Sequence, residues 1–404
     1  MNSLRIVMLS SVWLFSLLPG ASNRLAAQES RDEPPLIMAH YMPWYSADEG
    51  AGRWGWHWTM NHFDPTRVTE GRREIASHHY PLIGPYDSTD PIVVDYHLLT
   101  MKAAGIDGVI IDWYGREEFR DYAQLHRATS LVIERAEALD MKFIICYEDQ
   151  ILGAQVEAGL LLEDQTVARA QDDIRWVAEH WFPLRGYVRL DDRPILLSFG
   201  QNGLSNSQWT ECLKGIDLPL HYVSLHRRRE TASGAYDWPL PAEGLDAVKR
   251  FESESRAWSL AIPVAFPRFV DIYEQAGLHD SWGTIHDDDG RTFRATLARA
   301  LASRPRIVQI ATWNDWGEGT EIEPSHEFGY RDLEEIQRRR KTWDPDYTEA
   351  TADDIRLGYL LYEARRADPD GSHQEQYDRL VQAIVKCEWP RARAQAASLE
   401  DRTR

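Results

Sequence analysis

Short apolar runs rich in β-branched residues recur along the chain: Leu36 to Tyr41, Ile106 to Trp113, Lys142 to Glu148, Arg193 to Gly200, His221 to His226, Ala235 to Leu240, Ala261 to Pro267 and Arg306 to Trp313. The sixth carries the weakest pattern. Between several of them apolar residues return every three or four positions, as in Val94, Leu98 and Met101, in Leu125, Thr129 and Val132 continued by Ala136 and Leu139, and in Phe293, Leu297 and Leu301. That spacing draws one apolar stripe along a helix, whereas continuous apolar runs suit strands buried on both faces. Strands alternating with one-sided helices build an α/β fold with a parallel sheet, and eight such units closing on themselves make a single (β/α)8 TIM barrel. An open doubly wound sheet fits less well, because no run is followed by a Gly-rich phosphate turn.

From about Asp346 the pattern predicts two further helices, Asp353 to Arg366 and Gln374 to Lys386, packed on the outside of the barrel. At the other end, Arg5, the apolar stretch Ile6 to Leu18 and the small residues Ala26 and Ala27 read as a secretory signal peptide. The stretch is too short for a bilayer core, which needs roughly 20 residues, and no later segment is long enough either. The expected organisation is a signal peptide over 1–27, a catalytic barrel over 33–345 and a helical extension over 346–404. A secreted or periplasmic location without membrane insertion follows. The basic run Gln337 to Lys341 reads as one solvated helix face.

Composition narrows the partners. There are 64 Asp+Glu against 45 Lys+Arg, a net charge of −19, and Arg5 and Arg24 would leave with the signal peptide. Such a surface repels phosphate backbones and anionic lipid, which argues against nucleic-acid and membrane partners. Cys146, Cys212 and Cys387 are the only cysteines, neither a disulfide framework nor a zinc motif by spacing. His286, Asp287, Asp288 and Asp289 do not follow a calcium-loop pattern and read as a turn before a helix starting near Arg291. No metal or cofactor is expected, and the chain is expected to act as a monomer.

Active sites of such barrels form at the C-terminal ends of the strands. The first run ends on His40, Tyr41, Trp44 and Tyr45, followed by a loop with Trp56 and His57; the second ends on Asp112 and Trp113, the third on Tyr147 and Glu148, the fifth on His226. Arg268 follows the seventh, and Trp313, Asn314, Asp315, Trp316, Glu318 and Glu321 follow the eighth. Flat aromatic faces beside carboxylates suit sugar rings, which carry apolar C–H faces and hydroxyl rims. Glycoside hydrolysis needs two carboxyl groups, and Asp315 and Glu318 stand three residues apart in a Gly-containing turn. They are the candidate catalytic pair. The other residues named are candidate saccharide ligands, while Glu321 and Glu323 could instead be structural acceptors around Ile322.

The stretches H-Y-M-P-W-Y at 40, G-P-Y-D-S-T-D-P at 84, A-G-I-D-G-V-I-I-D-W-Y at 104 and W-N-D-W-G-E-G-T-E-I-E-P at 313 resemble the glycoside hydrolase family 99 and family 71 group. The resemblance spans roughly residues 36 to 330, and the last motif is the most specific. Family 99 includes endo-α-mannosidases and endo-α-1,2-mannanases, and family 71 comprises α-1,3-glucanases. The resemblance implies a (β/α)8 hydrolase of α-linked glycans, probing an oligo- or polysaccharide. The family 99 motif reads like N-E-W-H-E-G-T-x-I-E, where the first Glu assists attack by the substrate's 2-hydroxyl and the second is the general acid/base. By motif those roles fall on Asp315 and Glu318. Asp315 departs from that Glu and matches instead a family 71 pattern like W-N-D-Y-G-E-S, which belongs to an inverting group, so the stereochemistry stays open. A non-catalytic secreted glycan-binding barrel is the alternative, and it would show the two carboxylates splayed apart or salt-bridged away.

Overall fold

The computed structural model describes residues 34–403 apart from 49, 51, 201 and 202, so the expected signal peptide lies outside the described residues. The compact unit Pro35–Arg404 is built on parallel strands β1 (Leu36–Tyr41), β2 (Gly108–Trp113), β3 (Lys142–Tyr147), β4 (Arg193–Ser198), β5 (His221–Leu225), β6 (Gly234–Tyr236), β7 (Leu260–Ile262), β8 (Val264–Ala265) and β9 (Ile307–Ile310). Their order in the sheet is β7-β6-β5-β4-β3-β2-β1-β9-β8. Strands β7 and β8 are one run interrupted at Pro263, which has no N–H for the ladder. Its first half pairs with β6 and its second with β9, so this single run joins the two ends of the sheet and makes the expected (β/α)8 TIM barrel.

Helices α1 (Pro91–Ala104), α2 (Tyr122–Ala138), α3 (Thr166–His180), α4 (Asn206–Lys214), α5 (Leu245–Glu254) and α6 (Arg291–Ala302) supply the crossovers. Among the described residues no helix separates β5 from β6, and the sixth run is strand only over Gly234–Tyr236, shorter than its apolar pattern. Asp90 accepts from Ile92 N at 2.8 Å at the start of α1, with Pro91 in the first turn, a pairing of cap and helix-entry residue that fixes where the helix begins.

Strand residues divide by parity into two apolar layers, because successive side chains point to opposite faces. Met38, Ile110, Ile144, Cys146, Ile195, Leu197 and Val223 fill the barrel interior. Ile37, Ala39, Tyr41, Val109, Ile111, Trp113, Phe143, Ile145 and Tyr147 point outward against Val94, Leu98, Val132, Ile133, Ile174 and Val177 of the helices. Both faces are covered, which is why the runs read as unbroken apolar stretches rather than alternating ones.

Beyond β9, α7 (Arg331–Arg340) carries the basic run, and it is not one solvated face. Arg338 and Arg339 pair with Glu335 near the surface, but Arg340 sends two nitrogens to Asp107, both at 2.8 Å, and its Nε to Asp344 at 2.7 Å. Asp107 also accepts from Ile37 N at 2.7 Å, so this arginine pins the N-terminal end of the barrel. Gln337 is buried as well and donates to Ala103 O and Thr351 O.

The tail forms a 3-10 turn, Ala352–Arg356, then α8 (Leu357–Arg366), α9 (Gln374–Val385) and a third helix that the pattern did not announce, α10 (Trp389–Thr403). Arg365 of α8 and Arg135 of α2 both reach Asp95 of α1 at 2.6 Å. Gly358 lets α8 lie close on α1: a Cβ there would stand 2.4 Å from Thr100 Oγ1. No helix among the described residues is long and apolar enough to cross a membrane.

Candidate active site

The loop after β9 is folded back on itself. Thr312 N donates to Thr320 O at 3.0 Å, Asp315 N to Thr312 Oγ1 at 2.8 Å, and Glu318 N to Asp315 Oδ1 at 3.0 Å. It is also stitched to the segment after β8, with Val270 N donating to Glu318 O at 2.9 Å and Ile272 N to Gly317 O at 3.0 Å. Gly319 is required twice over, for its φ of +65° and because a Cβ would lie 2.6 Å from Val270 O. The G-E-G pattern is therefore what allows the chain to turn tightly enough to hold Asp315 and Glu318 in one wall.

That wall faces a cleft with two connected chambers. The first, about 340 Å³, is lined by Asp112, Glu148, Asp315 and Glu318 together with Met42, Trp44, Tyr114, Arg120, Tyr122, Ile151, Ala154 and Tyr273. The second, about 400 Å³, is lined by Leu225, His226, Pro239, Leu240, Pro241, Ala242, Glu243 and Phe269. Gln150, Phe199, Trp238, Trp282 and Glu318 border both. Glu318 thus stands where the chambers meet, while Asp315 faces the first.

Burial dominates the electrostatics. It pushes Glu318 well above the usual carboxylate range, helped by the charge of Asp315, while the Trp238 indole N–H pulls the other way. Asp315 is raised less, because the N–H groups of Glu318 and Gly317 stabilise its anion. Asp112 and Glu148 are raised too, Asp112 by burial and then by Glu148 and Asp315, and Glu148 by burial against a 2.8 Å hydrogen bond from Gln150. Among the described residues neither Asp315 nor Glu318 is ion-paired, and Glu318 Oε2 and Asp112 Oδ1 are buried without a hydrogen-bond partner. A buried carboxylate pair with unequal proton affinity can hold one proton and keep one charge, as acid–base chemistry at a single bond requires.

Of the expected site residues, Asp315, Glu318, Trp44, Asp112 and Glu148 meet in the first chamber and His226 lines the second, 3.3 Å from Asp237 Oδ1. The others are placed elsewhere. Tyr41, Trp113, Tyr147 and Trp313 belong to the outer layer under the helices, with Tyr41 OH 2.9 Å from His97 Nδ1 and Tyr147 donating to Asp173 at 3.0 Å. Strand parity is the reason for the first three, since His40, Asp112 and Cys146 take the inward positions and their neighbours must point out, whereas Trp313 lies past the end of β9 on the folded-back loop.

Five more lie behind the wall. Asn314 clamps the loop after β1 through Met42 N and O at 2.8 and 3.0 Å, and Tyr45 donates to Asn314 O at 2.9 Å. Trp316 is buried with its N–H 3.2 Å from Glu323 Oε2. Arg268 Nη2 donates to Glu321 Oε1 at 2.7 Å, with His79 Nδ1 2.9 Å from the same carboxylate oxygen. Glu323 likewise accepts from Tyr86 OH at 2.8 Å and lies 3.1 Å from His97 Nε2, so both later glutamates are structural acceptors. Trp56 is 39% exposed and edge-on to His57, which stacks at 4.2 Å behind Trp44 and orients it.

Residues the strand-end reading passed over are Phe199, Trp238, Tyr273 and Trp282. Phe199 and Trp238 follow β4 and β6, so the same rule applied to those runs finds them. Tyr273 and Trp282 sit on an irregular loop tied down by Asp271, which accepts from Ser281 Oγ at 3.0 Å and Trp282 N at 2.9 Å, and carry no periodic signal. The acidic run before α6 is a turn: Asp287 accepts from Gly290 N at 3.1 Å and Arg331 Nη1 at 2.9 Å.

A (β/α)8 barrel whose mouth is an acidic, aromatic cleft has the architecture of a glycoside hydrolase. The model of glycosyl hydrolase family 99 matches residues 34–152. The chain is 22% identical over 327 residues to a glycoprotein endo-α-1,2-mannosidase-like protein of Danio rerio, covering 71% of this chain and 70% of that one. It is 20% identical over 351 residues to the glycoprotein endo-α-1,2-mannosidase of Mus musculus, covering 76% and 72%. The fold is similar to that of the family 99 endo-α-mannosidase from Bacteroides thetaiotaomicron, with a TM-score of 0.58, 17% identity and coverage of 78% of this chain and 98% of that one. The chain is thus similar to the family 99 glycoside hydrolases in its N-terminal sequence and in its fold.

Proposed function

We propose that this hydrolase cleaves α-linked glycans of the α-mannan type within the chain, with Glu318 as general acid and Asp315 as the carboxylate that activates the attacking hydroxyl. The observation that carries the assignment is the position of Glu318 on the border of two chambers while Asp315 faces only one. A general acid must reach the leaving-group oxygen, and its partner must work on the ring of the sugar that is attacked. The first chamber therefore takes the sugar that is attacked and the second takes the leaving group. Asp112 and Glu148 accept hydroxyl hydrogen bonds on the first side, and Trp44 offers it a flat face. A cleft that continues past the acid suits cleavage inside a chain. Attack by water or by the substrate's own 2-hydroxyl both need only one ionised carboxylate at Asp315.

The relatives named above support the mannan type. A panel of α-1,2-linked manno-oligosaccharides and α-glucans, with the anomer of the first product followed by NMR, tests substrate and stereochemistry together. Hydrolysis of the mannan type is expected; binding without turnover across the panel would leave a carbohydrate-binding barrel. The charge pattern of residues 1–27 supports export, and N-terminal sequencing of the mature protein checks it: a chain still carrying residue 1 would contradict it.

A further inference from the structure

Below the first chamber, on the inward positions of β1, β2 and β3, stand His40, Asp112 and Cys146, whose ligand-type atoms all lie within 4.8 Å of one another. The mechanism leaves His40 and Cys146 without a task. Two of these residues carry a ligand-type atom, His40 Nε2 and Asp112 Oδ1, that is buried with no hydrogen-bond partner, and both side chains are more than nine-tenths buried. Such orphaned atoms cost free energy unless something occupies them.

The tautomer of His40 is set by its neighbour. Gln309 Nε2 donates to Asp237 O at 3.1 Å, which turns Gln309 Oε1 toward His40 Nδ1 at 3.4 Å. An oxygen acceptor there puts the proton on Nδ1 and leaves a free lone pair on the unpartnered Nε2. This is how a ligating imidazole is held when its far nitrogen bonds a metal. Burial keeps the ring neutral, its pKa lowered to about 3.

We propose that His40, Asp112 and Cys146 form a zinc(II) site in the floor of the cleft. Imidazole, carboxylate and thiolate are zinc donors, and three protein ligands leave a fourth position open. The charges close: one thiolate and one carboxylate offset the two positive charges of the ion, with a neutral imidazole, so the buried site carries no net charge. Binding sends the Cys146 thiol proton, and that of Asp112 where it is protonated, to solvent. Tetrahedral bonds of roughly 2.0–2.3 Å place ligand atoms about 3.3–3.8 Å apart, so closure asks for a contraction on the order of 1 Å. Asp112 lines the first chamber and gives the ion its way in. An ion there takes Asp112 from the substrate, so zinc acts as an inhibitor of the hydrolase rather than as its cofactor.

The test is uptake by the full chain, without an affinity tag of histidines, after chelator treatment and dialysis. The chain should retain about one zinc per molecule, unfold at higher temperature with zinc, and in the cobalt(II) form show a thiolate-to-cobalt charge-transfer band. Cys146→Ser should lose that band and the zinc-dependent shift in Tm while keeping its circular dichroism spectrum. Gln309→Leu should weaken zinc binding by about 10- to 100-fold. Absence of stoichiometric uptake, or uptake that Cys146→Ser leaves intact, overturns the proposal. These readouts are of binding, so they stand or fall apart from the hydrolase reading.

Discussion

The first chamber presents four carboxylates and the indole of Trp44; the second, across the same glutamate, presents Leu225, Pro239, Leu240, Pro241, Ala242 and Phe269 with few polar groups. One side gathers groups that can hold protons and hydroxyls, and the other mainly apolar surface. Buried carboxylates are costly when charged, so their concentration on one side marks where the chemistry is concentrated. Under the proposed assignment the apolar side excludes water and packs the leaving group, with Trp282, 53% exposed, as its rim. Under the proposed assignment the carboxylates come from the loops after β2, β3 and β9 and the apolar leaving-group contacts from those after β5, β6 and β8, with Phe199, Trp238 and Trp282 shared by both chambers.

The contrast breaks most visibly at Glu318. Glu318→Gln should lower turnover on a glycan substrate by about 100- to 10,000-fold, the usual worth of a general acid, with an unchanged or raised Tm. Next in size, Leu240→Ala with Phe269→Ala should raise KM about tenfold for substrates with an extended leaving group and leave a one-residue leaving group nearly unaffected. That change corresponds to losing about 1.5 kcal/mol of apolar burial. Equal losses on both substrates, measured as kcat/KM, would mean that the chambers do not divide the substrate in this way.

A smaller effect separates the chambers by pH. Asp112 has a folded pKa raised above its unfolded value, so the folded state binds its proton more tightly. Stability from that proton is fully present below the unfolded pKa and is lost as pH rises from there through the raised folded pKa. Asp112→Asn removes the loss, and its Tm should exceed that of the parent at pH 8 by more than at pH 5. A Tm gain independent of pH would contradict the shift. Smallest for activity, Tyr147→Phe on the outer layer should leave kcat/KM within about twofold and cost stability of about 1–3 kcal/mol, because Asp173 loses a buried donor. A large fall in activity would return Tyr147 to the cleft.

Much of this arrangement was legible beforehand. The alternation of apolar runs and striped helices specified the barrel, and the position of D-W-G-E-G behind Ile307–Ile310 located Asp315 and Glu318 at its mouth. What misled was treating every strand-end aromatic as facing the cleft. Parity separates them: once Asp112 is inward, Trp113 is outward, and Tyr41 and Tyr147 follow from His40 and Cys146. Arg268 and Glu321 needed more than parity, since their partners are each other across 53 residues of chain. Tyr273 and Trp282 ride on a loop shaped by the hydrogen bonds of Asp271, which no local pattern encodes. The basic run on α7 failed for a similar reason, because Asp107, the partner that buries Arg340, is 233 residues away.

The most direct test of the division of labour at Glu318 compares two leaving groups in one variant. A glycan leaving group needs a proton to depart, whereas dinitrophenolate leaves without one. Glu318→Gln should lose at least about 100-fold in kcat/KM on an α-linked manno-oligosaccharide and less than about 10-fold on the matched dinitrophenyl α-mannoside, while Asp315→Asn loses activity on both. Equal losses on the two substrates in Glu318→Gln would contradict its role as the acid at the border of the chambers.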